Sequence, residues 1–140
     1  MICAKSPEEL IQGRFSAFLQ QDFESIFLSY HTDAPFRSFF PQYSDYLEYA
    51  LTEIAPHFEI IDCCILRSKL GLQSAEILYR LVILHNDACM SSLEIARCRK
   101  GETDLWFFDA ALRIDASLLS SDPQDCSWED LVSAGNDLWI

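Results

Sequence analysis

Residues 75–99, AEILYRLVILHNDACMSSLEIARCR, decide the fold. Ahead of the HND step, both alternating sets are largely apolar: Ile77, Tyr79, Leu81 and Ile83 on one side, Leu78, Val82 and Leu84 on the other. That pattern belongs to a central strand covered on both faces. Beyond the step, Glu94, Ala96 and Cys98 alternate with Leu93, Ile95 and Arg97, so this second strand has one partly polar face. Two extended runs joined by so short a turn predict an antiparallel hairpin.

Working outward, residues 58–66 and 105–114 have the same Ile, Leu, Val and aromatic bias, and turn-prone SKLGLQ and RKGETD set them off from the hairpin. Four strands joined by short loops make an antiparallel meander. Upstream of His57 the period becomes helical. In SPEELIQGRFSAFLQQ, Ser6 is a cap, Pro7 suits the first helical position and Glu9 completes an S-x-x-E capping box. Leu10, Ile11, Arg14, Phe15, Phe18 and Leu19 then share one stripe, which places Arg14 at or beside the buried side. Asp22 caps a second helix, FESIFLSYH, with Phe23, Ile26, Phe27 and Tyr30 on one face, and the DAP turn at 33–35 stops it. After an aromatic loop, FRSFFP, a third helix begins near Pro41, shows Tyr43, Tyr46, Leu47, Ala50, Leu51 and Ile54, and ends at Pro56.

The expected fold is therefore α+β, with three N-terminal helices packed on a bent four-stranded antiparallel sheet over residues 1–119. Residues 120–140 form a tail. SSDPQDC is a polar breaker, and in SWEDLVSAGNDLWI Ser127 caps a short helix with Trp128, Leu131 and Val132 as its apolar stripe. Trp128 and Trp139 are expected to dock back on the same domain.

Half of the 140 residues are apolar and 13% are aromatic, a composition far from that of disordered chains. The net charge of -12, from 22 acidic and 10 basic residues, repels phosphate backbones and disfavours nucleic acid as a partner. No run is long enough to span a bilayer, and Met1 to Pro7 lacks the basic region and apolar stretch of a secretory signal, so a cytoplasmic location is expected, with no membrane partner. The six cysteines, Cys3, Cys63, Cys64, Cys89, Cys98 and Cys126, include no C-x-x-C pair, so free thiols and no metal site are expected. Nucleophile-elbow, P-loop, dinucleotide and zinc-protease motifs are absent, and no cofactor is implied.

The run PEELIQGRFSAFLQQDFESIFLSYH resembles the opening of the YchJ-type domain, an NTF2-like (cystatin-like) α+β cone found as the middle domain of SEC-C-motif proteins. That family carries R-(Y/F)-S-A-(F/Y) on a helix, a short polar step, and a second helix ending in W-H. The counterparts here are Arg14, Phe15, Ser16, Ala17 and Phe18, then Gln21 and Asp22, then Tyr30 and His31. Near the end, Glu94 followed by Trp106, Phe107, Phe108 and Asp109 is similar to the family's strand Glu and its W-Y-Y and Asp. The cysteine-rich zinc segments of SEC-C proteins are missing: Cys3 stands alone, and the tail offers only Cys126.

The resemblance implies a cone with a pocket between sheet and helices, and Arg14, Tyr30, Tyr79, Glu94 and Trp106 are the residues expected at it. Arg14 and Glu94 are expected to form an ion pair across the core. His31, at a helix end, and Asp109, at the rim of the sheet, are the candidate general bases. Two functions follow as expectations: a non-catalytic module that binds a small molecule or a protein and dimerises through its sheet, or a small-molecule isomerase or hydratase using Asp109 or His31.

Overall fold

Helix α1 (Pro7–Leu19) starts where the capping signal stands, with Ser6 Oγ accepting from the Glu9 backbone N–H. The return bond of the capping box is displaced by one residue, because Glu9 Oε2 accepts from the N–H of Lys5. Asp22 in the same way caps α2 (Phe23–Ser29) through the Ser25 N–H. In place of the aromatic loop the computed structural model, which describes residues 1–138, has a third helix, α3 (Phe36–Phe39). It then has α4 (Tyr43–Tyr49), which runs into a π-helical turn, Ala50–Ile54. The helical layer thus has more and shorter pieces than three continuous helices. Aromatic packing explains α3: the Phe36 ring stacks on Tyr30 at 3.7 Å, and Arg37 Nη2 donates to the carbonyls of Phe27 and Tyr30.

The strands are β1 (Phe58–Leu70), β2 (Ser74–His85), β3 (Ala88–Lys100) and β4 (Trp106–Ile114). A fifth, β5 (Gly135–Leu138), follows a 3₁₀ turn and α5 (Trp128–Ser133). They form one antiparallel sheet in the order β1-β2-β3-β4-β5, so the expected sheet of four gains a strand from the tail. Asn86 and Asp87, with φ of 50° and 70°, make the two-residue turn between β2 and β3, the left-handed pair that a tight hairpin requires.

One face of the sheet carries Ala75, Ile77, Tyr79, Ala96, Cys98, Phe108 and Ala111 against the N-terminal helices. The other carries Leu78, Leu93, Ile95, Leu112 and Ile114 against Cys126, Leu131 and Ala134 of the tail. Arg67 Nη1 donates to the carbonyls of Pro123 and Cys126, and Trp128 Nε1 donates to Glu76 Oε1. The sheet is therefore the middle of three layers. Trp139, expected to dock with Trp128, lies outside the described residues.

The outer edge of β4 is closed along its length. Trp106 N–H donates to the Ala4 carbonyl, His31 N–H donates to the Phe108 carbonyl, and Ala111 to Ile114 pair with β5. At the opposite end of the sheet, β1 is the edge.

Candidate functional site

The helices and the inner face of the sheet enclose a cleft of about 780 Å³, a usual size for a small-molecule site. Its walls are apolar, from Ile11, Phe15 and Phe18 of α1, Tyr46 and Tyr49 of α4, and Leu81, Ile83 and Phe108 of the sheet. Of the charged residues in its lining, two are under a tenth exposed: Arg14 at 8% and Glu94 at 4%. Charges this dry must be held by partners, and each holds its own set.

Glu94 is opposite Tyr79 in the β2–β3 register, and Ser92 shares its face two residues earlier. The Tyr79 hydroxyl donates to Glu94 Oε1 and the Ser92 hydroxyl to Oε2, each at 2.8 Å. Burial pushes the Tyr79 phenol well above its ordinary range, and the adjacent Glu94 charge and hydrogen bond push it further. Arg14 reaches the other way. Its Nη1 donates to Ser29 Oγ at 2.6 Å and its Nη2 to the Tyr30 hydroxyl at 3.4 Å, and the guanidinium lies 3.8 Å from the centre of the Phe108 ring. Ser29 is fixed in turn by donating to the Ile26 carbonyl.

The expected ion pair between Arg14 and Glu94 is not made. Among the described residues the ion pairs are Glu76–Arg97 and Arg99–Asp109, with His31 Nδ1 lying 4.0 Å from Asp33 Oδ2. The register explains it: Tyr79 and Ser92 flank Glu94 on the inner face and engage each of its oxygens once, while α2 and its C-cap present Ser29 and Tyr30 to Arg14. A guanidinium has five N–H groups, so Arg14 keeps donors for a cleft occupant, and the Glu94 carboxylate keeps lone pairs for one.

Of the expected pocket residues, Arg14, Tyr79 and Glu94 come together in the lining, and Tyr30 stands behind Arg14. Trp106 is buried elsewhere, beside Lys100. Neither candidate base lines the cleft. Asp109 is the extra residue of a bulge, since Arg97 pairs with Ala110 while Cys98 pairs with Phe108. The bulge leaves Asp109 in a 2.6 Å ion pair with Arg99. His31 Nδ1 accepts the Asp33 N–H at 3.1 Å, and its ring meets Phe107 edge-on.

The lining also includes Cys63, whose thiol burial pushes from 9.0 up to about 11, with Asp62, Cys64 and Glu94 adding to the shift. Sequence reading did not single out Ser29, Ser92 or Cys63. Ser92 had a signal, the two-residue period linking it to Glu94; Ser29 had none, because its distance from Arg14 is set by how α1 and α2 pack. All six cysteines are free, and among the described residues no group of three His, Cys, Asp or Glu side chains is placed to hold a metal ion.

The fold is shared. The chain is similar to the solution structure of a SEC-C motif containing protein from Rhodopseudomonas palustris, with a TM-score of 0.63 and 18% identity over 79% of this chain and 80% of that one. No family model and no curated protein matches the sequence. Among the described residues no helix is long and apolar enough to cross a membrane.

Proposed function

We propose that this chain is a non-catalytic binding module of the NTF2-like, YchJ type, working in the cytoplasm. Its cleft takes a small, neutral, mostly apolar molecule that ends in a carbonyl or amide. One observation carries the reading: a cleft of about 780 Å³ with apolar walls holds two dry, separately anchored groups of opposite charge, one with donors to spare and one with acceptors. A carbonyl oxygen suits Arg14 and an adjacent N–H suits Glu94. A net anionic ligand is disfavoured by Glu94 and by the charge of -12.

Catalysis by Asp109 or His31 finds no support in this geometry, since both stand away from the cleft and are engaged elsewhere. The test is calorimetric titration with decanamide, with decanoate as the charged comparison. Saturable binding of the amide, weaker for the acid and weakened at least tenfold in Arg14→Met, is expected. Decanamide binding equally well to Arg14→Met, or not binding at all, would overturn the reading. Methionine keeps the apolar contact with Phe108.

A further inference from the structure

The free edge of the sheet is β1, thirteen residues long and bulged near Ile61 and near Leu66. An exposed edge is a pairing template, and this sheet seals its other edge with β5, His31 and Ala4. On the face away from the helices, Glu59, Asp62, Cys64, Arg67 and Lys69 stand opposite Leu84, Val82, Arg80, Leu78 and Glu76 of β2. Those β2 partners are alternate residues, so the bulges put the five β1 side chains on evenly spaced rungs. Read along the rungs, the order is acid, acid, Cys64, base, base.

That order matches itself when reversed. We propose that β1 is a homodimer interface, in which β1 of a second copy pairs antiparallel about a two-fold axis at Cys64. The pairing sets Glu59 against Lys69 and Asp62 against Arg67, twice each, and Cys64 against itself. On the inner face, Phe58 meets Leu70; they are 42% and 62% exposed in the single chain. A parallel pairing sets like charges together, and an antiparallel one slipped by two residues keeps only two of the four opposite-charge pairs. Charges that only blunt an edge have no reason to be divided by sign about its middle. In the single chain Asp62 Oδ1 accepts the Cys63 N–H and Arg67 Nη1 donates to the tail carbonyls of Pro123 and Cys126; the pairing exchanges the first contact and uses the remaining N–H groups of Arg67.

Sedimentation of the whole chain tests the inference without any ligand. Wild type is expected to be dimeric at about 0.1 mM. Glu59→Lys sets Lys against Lys69 and Lys69→Glu sets Glu against Glu59, so each alone should raise the dissociation constant roughly tenfold. An equimolar mixture of the two variants should recover the wild-type value, because both cross-strand pairs are again opposite in charge. A short bis-maleimide should join Cys64 to Cys64 in the wild-type dimer. A wild type that stays monomeric, single variants that dimerise unchanged, or a mixture that fails to recover would each refute it.

Discussion

Tyr79→Phe removes one oxygen and leaves the ring in place, so it measures what holds Glu94 in the core. The hydroxyl donates at 2.8 Å to a carboxylate in which each oxygen accepts one hydroxyl, and both residues are almost dry, at 6% and 4% exposure. Hydrogen bonds to a charged group contribute about 1.5–3 kcal/mol, and the bare Oε1 bears its desolvation cost alone, so a loss of about 2 kcal/mol is expected. For 140 residues the unfolding entropy is about 0.3 kcal/mol/K, which turns that loss into a fall in Tm of about 7 °C. The assay is thermal unfolding of four proteins: wild type, Tyr79→Phe, Glu94→Met and the double variant. With methionine at 94 the Tyr79 hydroxyl has lost its acceptor, so removing it should cost nothing or stabilise, giving a coupling of about 2 kcal/mol. An equal shift in both backgrounds would mean that the hydroxyl and the carboxylate do not depend on each other, and the account of the cleft floor would fail.

Burial pushes Cys98 from 9.0 up to about 12 and Cys63 up to about 11, so at pH 8 both should resist a thiol reagent while exposed Cys3, Cys64 and Cys89 react at once; prompt labelling of Cys98 would contradict the packing. Those shifts also set an alkaline limit. Between pH 9 and about 11 the unfolded thiols ionise while the folded ones stay protonated, so stability is intact below 9 and falls as pH rises through 11, and urea midpoints for Cys98→Ala should show a shallower fall. Leu131→Ala empties a fully buried site between the tail and the sheet and should cost about 3 kcal/mol, read by urea unfolding; a cost under about 1 kcal/mol would mean the tail is not part of the cooperative unit. Trp128→Phe should cost about 1 kcal/mol by removing the bond to Glu76, and the same loss in a Glu76→Leu background would disprove that bond.

The parts of the molecule legible in the sequence are those fixed by local chemistry. Ser6, Asp22 and Ser127 each cap the helix that follows, because a side-chain oxygen meeting a free N–H is a short-range event. The β2–β3 hairpin follows from alternation and the Asn86-Asp87 turn. Arg14 was readable at the buried side from periodicity, and Glu94, Tyr30 and Tyr79 were expected at the pocket from the resemblance; Ser29 was not readable, since another helix brings it to Arg14. Short α3 lies in FRSFFP, which has no cap; rings of α2 and α4 stabilise it from outside. GNDL has no strand signal, and it becomes β5 because the tail delivers it to the open side of β4. Asp109 was expected at the rim of the sheet as a base, and the one-residue bulge that sets it beside Arg99 leaves no mark in the sequence.

The sealing of β4 by Ala4 and His31 bears on the order in which the molecule assembles. Every strand pair joins chain neighbours, so the sheet grows by short loop closures, starting readily at the turn of Asn86 and Asp87. The helical segments leave the ribosome first, yet their anchors at Trp106 and Phe108 are made much later. For most of its synthesis the nascent chain shows Phe23, Phe27 and Tyr30 to solvent, a natural target for a holdase chaperone. Arrested chains ending just before and well after residue 114 should differ sharply in chaperone crosslinking, and equal crosslinking would show that the helices collapse without the sheet.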